Sequence, residues 1–372
     1  MRIEPFVMER MQSTWEHQVE LNLSESGVHP LTLAELVEDA DERARLLALG
    51  LGYPQTNGSV ALRSTIAGLY PGATADHVHV TNGGAEANYC CCWSLLEPGD
   101  EVVMMAPNYM QTWGLAQAFA GVAHRWPLRE QSGRWVADVD ELSTLLTPRT
   151  KLVLICNPNN PTGACLDGAT LDAICRTAGR HGTWVLSDEI YRGAELSGPE
   201  TPSIWGRYER AVVTSGLSKA YGLPGLRIGW VVGPPAFVAT TWAYHDYTTI
   251  APGMINDRLA AYALSPARRR AILDRTRRIL LANLPTLADW LSARPESFSF
   301  IPPQAGAIVY PRYHRPMNST ALTARLRDEQ GVLIVPGDQF GMDGYLRIGY
   351  GGPAGELLEG LRRLEMVLGP AA

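Results

Sequence analysis

The sequence predicts an α/β protein built on a largely parallel sheet, with a smaller α+β unit after it. Three observations predict this. After about residue 60, short apolar runs alternate with longer helical patterns, as they do where each strand crosses to the next through a helix. From about Pro252 the alternation stops, and a long Arg-rich helical pattern runs to Ser292 before short strands return. A length of 372 residues exceeds one ordinary core, and at roughly 150 residues per domain it calls for about two packed units.

The elements follow in chain order. Residues 1–40 show neither pattern and are expected to pack on the smaller unit or over the site. Residues 41–250 form the large unit, with strands expected at 78–81, 101–105, 151–156, 183–187 and 210–214. Each of these runs ends in a polar or Gly-rich segment. Ligands of open α/β sheets bind beyond the carboxyl ends of the strands, so functional residues are sought there. Residues 251–372 form the small C-terminal unit, with strands expected at 298–301, 307–310, 331–335 and 345–350.

Composition narrows the function classes. An apolar share of 46% against 19% charged is enough for a packed core and gives no sign of disorder. The net charge is −6, and the largest basic cluster, Arg268 to Arg270 with Arg275, Arg277 and Arg278, reads as one solvated helix face. Nucleic acid and anionic membrane need a broader basic field, so neither is an expected partner. A ligand sensor fused to a DNA-binding module is not expected either, because no basic reading helix is present.

Residues 1–15 mix Arg2, Glu4, Glu9 and Arg10 with single apolar residues, unlike a signal peptide, and no apolar run reaches membrane-spanning length. A cytoplasmic protein is expected. The consecutive Cys90, Cys91 and Cys92 point about 100° apart on a helix, which suits buried thiols better than a disulfide or a metal site.

Four strand-end segments carry chemistry when read together. Thr81-Asn82-Gly83-Gly84-Ala85-Glu86 closes a strand and opens a helix, where free N–H groups can cradle a phosphate. Alone, such a turn is more often only a turn. Asn157-Pro158-Asn159-Asn160-Pro161 sets amide side chains on a rigid, X-Pro-rich turn. Ser187-Asp188-Glu189-Ile190-Tyr191 places a carboxylate just past a strand and a phenol three residues later, though it also reads as a helix cap. Ser218-Lys219-Ala220-Tyr221 leads to Arg227, eight positions beyond the lysine. An imine-forming amine, a carboxylate suited to a pyridinium nitrogen and donors for a phosphate are what pyridoxal 5'-phosphate (PLP) requires.

With these motifs in this order the chain resembles the fold type I, class I/II aminotransferase family over almost its whole length. The resemblance implies a mostly parallel seven-stranded sheet sandwiched by helices, PLP as cofactor, and a homodimer with shared active sites. It implies that Lys219 is the Schiff-base lysine and later shuttles the proton, and that Asp188 pairs with the ring nitrogen. Asn160 and Tyr191 match the pair that bonds the ring hydroxyl, and Tyr109 matches the aromatic that stacks on the ring. Gly83, Gly84 and Ala85 match the phosphate loop, with Ser218 and Arg227 nearby, and Tyr53 matches the tyrosine that reaches the partner subunit's phosphate. Arg347, in Tyr345-Leu346-Arg347-Ile348-Gly349-Tyr350, matches the arginine that takes the substrate carboxylate in a bidentate fork. One departure is visible. Gly216 stands where the family carries Ser or Thr, and Ser215 is the expected substitute.

The N-terminal stretch from Asn22 to Thr32, which includes Glu25 and Ser26-Gly27-Val28-His29-Pro30, replaces the Gly-Pro-Asp loop of many aminotransferases. Its Ser26-Gly27-Val28-His29 segment, together with the stretches from Leu217 to Trp230 and from Gly331 to Gly349, resembles the capreomycidine synthase-like group, which acts on arginine derivatives. That similarity implies loss of a β-hydroxyl and closure of a ring by the substrate's guanidine; the alternative is ordinary amino transfer to a 2-oxo acid. His29 is a candidate for gating a proton or orienting a hydroxyl, since histidine titrates near neutrality, and equally for capping before Pro30. Glu25 is the preferred carboxylate for a guanidinium. Glu16 and Glu20 share a helical face that fits solvent equally well, and Trp15 and Trp113 are further candidates for the side-chain pocket.

Overall fold

A computed structural model describes residues 3–368. Met1, Arg2 and residues 369–372, at the outer ends of the N-terminal segment and the C-terminal unit, lie outside the described residues.

Helix α1 (Val7–Trp15) opens the chain, and the short strand Leu21–Asn22 then pairs in parallel with Val332–Leu333. The beginning of the chain is thereby joined to its last third. The main sheet comprises β1 (Val78–Thr81), β2 (Glu101–Ala106), β3 (Val122–Gln131), β4 (Arg134–Ala137), β5 (Thr150–Cys156), β6 (Trp184–Asp188), β7 (Ala211–Gly216) and β8 (Gly229–Val232). Their spatial order is β1-β8-β7-β6-β5-β2-β3-β4. Neighbours from β7 to β3 run parallel, whereas β8 is antiparallel to both β7 and β1.

The expected seven strands are joined by an eighth, because β3 turns back into β4 at the sheet edge. Ser132 and Gly133, both at positive φ, make the two-residue turn that this hairpin needs. Sequence patterning passes over β3 because Arg125, Pro127, Arg129 and Glu130 interrupt it, and an edge strand tolerates them.

The central strands are apolar on both faces because helices cover both. Val102 and Met104 of β2 face Cys91, Cys92 and Phe237, while Val103 and Met105 face the opposite core with Val153 and Trp230. All six cysteines are free thiols. Helix α2 (Gly84–Leu95) starts at the glycine turn after β1, and α3 (Pro235–His245) packs beside it.

The single long helix expected from Pro252 is two helices, α4 (Met254–Ala263) and α5 (Pro266–Ser292). Pro266 at the first position of α5 cannot supply the N–H that continuation would need. A small antiparallel sheet of Ile308–Val309, Leu346–Gly349 and Val335–Pro336 then carries Arg347 on its central strand. Helices α6 (Ser319–Gln330) and α7 (Ala354–Leu368) complete this part. Among the described residues, no helix is long and apolar enough to cross a membrane.

Candidate active site

The carboxyl ends of β5 and β6, the turn after β1 and the inner face of α1 enclose a cavity of about 360 Å³. Of the residues singled out in the sequence, Glu16, Glu25, Gly84, Ala85, Tyr109, Asn160, Asp188, Tyr191, Ser218, Lys219, Arg227 and Arg347 line it. Residues from both ends of the chain and from its middle thus converge on one space.

The glycine turn is fixed by close approach. Gly83 has φ +96°, and a Cβ there would lie 2.3 Å from Arg227 Nη2. Beneath it, a Cβ on Gly229 would stand 2.3 Å from the Gly83 carbonyl carbon, so the turn rests directly on β8. Arg227 itself is left-handed at φ 46° and reaches Ser218 Oγ at 3.4 Å. The departure at Gly216 has a steric cause, because a Cβ there would meet Ile228 O at 2.8 Å. Ser215 does not replace it: its hydroxyl donates to the buried Glu189 carbonyl at 3.1 Å, away from the cavity.

Asp188 ends β6 with its carboxylate accepting from Asn88 Nδ2 at 3.0 Å and from the Ile190 N–H at 3.1 Å. Burial pushes this carboxyl above its ordinary range, and the Asn88 and Ile190 bonds oppose that. Thr214 Oγ1 fixes Asn88 in turn at 2.6 Å. Tyr191 donates to Ser26 Oγ at 2.8 Å, and Tyr109 donates to Glu9 Oε1 at 2.9 Å. Burial raises both phenols, so they stand protonated as donors.

Lys219 Nζ lies 3.3 Å from Glu25 Oε2. Burial disfavours the ammonium, but the Glu25 carboxylate and the Tyr191 phenol outweigh it and hold the lysine above its ordinary value. The attraction is mutual, and Lys219 is the largest cause of the lowered Glu25 carboxyl. Arg347 is 1% exposed and has no carboxylate among its hydrogen-bond partners. Its Nη1 donates to Asn160 Oδ1 at 3.1 Å, its Nη2 donates to Ser24 O at 2.6 Å, and its Nε finds no acceptor. Burial lowers this guanidinium, against the pull of Tyr191 and Glu25. A buried cation of this kind favours an incoming anion.

Other candidates lie elsewhere. His29 stands outside the cavity lining. Its N–H bonds Gly351 O at 2.8 Å and its carbonyl accepts both Arg275 Nη atoms at 3.0 Å, which turns it onto the surface. Glu20 is spent on Arg363 at 2.7 Å, Trp15 stacks under Arg327 at 4.0 Å and Trp113 under Arg125 at 5.1 Å. Glu16 does line the cavity. Tyr53 is 85% exposed and does not touch the site of its own chain.

Asn88, Ser26, Glu9 and Gln12 also line the cavity, and sequence reading did not single them out as site residues. Asn88 had a usable signal. An asparagine within an apolar helix is unfavourable unless its side chain has a partner.

The donor set fits PLP. One amine, a half-buried carboxylate held by an amide, a glycine turn beside a guanidinium, and an anion-ready arginine share a single cavity. Residues 20–364 match the family described as aminotransferase class I and II. Capreomycidine synthase from Streptomyces vinaceus is 32% identical over 95% of this chain and 91% of its own length. A PLP-dependent aminotransferase from Streptococcus suis superposes with a TM-score of 0.92 at 33% identity, covering 99% of this chain and 98% of the other. The PLP-dependent cyclase OrfR superposes with a TM-score of 0.85 at 28% identity, over 98% and 97%. The chain belongs to the class I and II aminotransferase family and is an enzyme whose cofactor is pyridoxal 5'-phosphate.

Proposed function

We propose that the enzyme acts on a hydroxylated arginine derivative, removing the β-hydroxyl as water and closing a ring through the guanidine. The observation that carries this reading is the charge layout of the cavity. Arg347 sits on the inner wall without a carboxylate, whereas Glu9, Glu16 and Glu25 stand on α1 and the segment after it. An α-amino acid with a cationic side chain matches both ends. The likeness to capreomycidine synthase and to a PLP-dependent cyclase supports it.

PLP, when bound, withdraws electrons from the bonds at Cα of an amino acid joined to it. Lys219 Nζ takes the proton from Cα, and the Cβ–O bond then breaks as the hydroxyl leaves with a proton, as water. A guanidine nitrogen adds at Cβ, its proton departs, and Lys219 returns a proton to Cα. The net change is loss of one water, with no amino group transferred. Asp188 would hold the ring nitrogen, Asn160 and Tyr191 the ring hydroxyl and Tyr109 the ring face, while Gly83 to Ala85 with Ser218 and Arg227 would hold the phosphate. Arg347 binds the substrate carboxylate.

The protein works as a homodimer in the cytoplasm on this reading. Tyr53, Leu51 and Tyr247 leave 85%, 77% and 81% of their surface uncovered in one chain, as residues that meet a second copy would. Free thiols accord with a reducing compartment.

Ordinary amino transfer is the second reading, favoured by the close fit to a PLP-dependent aminotransferase. Incubation with L-arginine and its 3-hydroxy and 3,4-dihydroxy derivatives, with and without a 2-oxo acid, separates the two. A product lighter by one water, formed without an acceptor, is expected. Strict dependence on the oxo acid would establish amino transfer instead.

A further inference from the structure

Gln12 sits between two of the cavity carboxylates. Glu9, Gln12 and Glu16 follow one another at the three- and four-residue spacing of one helical face, and all three line the cavity. At about 1.5 Å of rise per residue, Glu9 and Glu16 stand about 10 Å apart along the axis of α1. Glu9 is held at one end by the Tyr109 hydroxyl at 2.9 Å. Glu16, at φ −57° and ψ −27°, keeps the helical backbone, so the face continues through it.

Backbone groups fix the direction of every bond that Gln12 makes. Gln12 is 7% exposed and Ser24 0%. The Ser24 carbonyl can only accept, so Gln12 turns its Nε2 toward it, at 3.1 Å. The Ser24 N–H can only donate, so the Asn22 Oδ1 that it meets at 3.0 Å is an acceptor. Ser24 Oγ therefore gives its hydrogen to that same oxygen at 2.7 Å and accepts from Gln12 Nε2 at 3.0 Å. The Ser24 carbonyl also takes Arg347 Nη2 at 2.6 Å, and Met8 of α1 brings its Sδ to 3.7 Å from Arg347 Nη1. The helix that carries the carboxylates is thus docked on the arginine, directly through Met8 and through Ser24 by way of Gln12.

We propose that Gln12 is a positioning residue that sets selectivity for side-chain length. It registers α1 against Arg347, and so fixes the span between the arginine that takes the substrate carboxylate and the α1 carboxylates that take a side-chain cation. An amino acid whose cation lies one methylene nearer to Cα, or one farther, then meets one end well and the other poorly. The inference rests on reading Arg347 as the carboxylate site and α1 as the cation site.

The test uses the PLP-loaded enzyme with L-arginine, its homologues one methylene shorter and longer, and L-citrulline, which keeps the length and lacks the charge. Binding is read from the first change in cofactor absorbance on mixing. Wild type should bind L-arginine about tenfold more tightly than either homologue. Q12M keeps the length of the side chain and removes the amide, and it should cut that selectivity to about twofold, chiefly by weakening L-arginine. Placed in R347Q, which has no fork left to position, Q12M should change nothing further, whereas a purely structural role would add its full effect there. S24A removes Oγ and leaves the carbonyl; it should lose part of the selectivity in the same direction, and it carries the test should Q12M not fold. Selection of charge without selection of length in wild type, length selectivity unchanged in the variants, or a Q12M effect that persists in R347Q overturns this inference alone. A wild type that binds L-citrulline as tightly as L-arginine overturns the reading of α1 as the cation site and this inference with it.

Discussion

Glu25 faces Lys219 across 3.3 Å and keeps its amine protonated while no cofactor is joined to it. Imine formation needs the free amine, so capture of PLP should quicken as pH rises toward the raised lysine value. E25Q removes the principal charge opposing burial and should shift that rate profile to lower pH, as stopped-flow absorbance would show; an unshifted profile contradicts the role of Glu25. The folded-state lysine value lies above the unfolded one. The pairing therefore stabilises the unliganded chain fully below the ordinary lysine range and is lost as pH rises through the folded value.

Asn88 makes a second residue-scale case. N88A leaves the Asp188 carboxylate without its side-chain donor and should cost about 1–3 kcal/mol of stability while weakening PLP binding. Thermal melts with and without cofactor separate the two effects. Lys219, Asp188 and Arg347 were legible because a reactive residue stands in a recognisable run. Asn88, Ser26 and Glu9 act through partners 100, 165 and 100 residues away, and no local pattern announces those pairs.

At the scale of elements, the turn after β1 and the strand β8 fit only as glycine against glycine. G229A should displace the turn, cost about 1–3 kcal/mol and weaken PLP affinity more than a distant core change of equal cost. Equal affinity at reduced stability would contradict the contact. Helix α1 supplies the other elemental prediction. E9Q and E16Q should raise KM for a guanidinium substrate about tenfold, the scale of a charge-assisted bond, while neutral amino acids are unaffected. Glu9 was hidden because a glutamate on a short helix reads as solvated until the cavity beneath it is known, and Glu16, just past that helix, read equally as a solvated face. The continuous apolar strands were legible for the opposite reason, since burial on both faces leaves no other pattern. The break at Pro266 is written in the sequence, since a proline there removes the N–H a continuous helix needs, whereas the short strands of the last third depend on packing that local pattern does not encode.

For the whole molecule, pairing of Leu21–Asn22 with Val332–Leu333 and the bond from Gly349 N to Leu23 O join the two ends of the chain. A Cβ on Gly349 would stand 2.0 Å from Glu25 O, so this junction also sets where Glu25 meets Lys219. Sedimentation should give a dimer, and Y53A should weaken PLP binding while leaving the fold intact if Tyr53 reaches across to a second copy; a monomer with full activity would contradict shared sites.

The attachment of PLP to Lys219 is the claim on which the rest depends, and the sequence makes it unusually easy to test. Lys151 is the chain's other lysine. Borohydride reduction of the purified enzyme followed by peptide mass mapping should place one pyridoxyl phosphate on the peptide containing Lys219 and none on that containing Lys151, with K219A unlabelled. Labelling of Lys151 alone, or persistent labelling of K219A, would contradict the account.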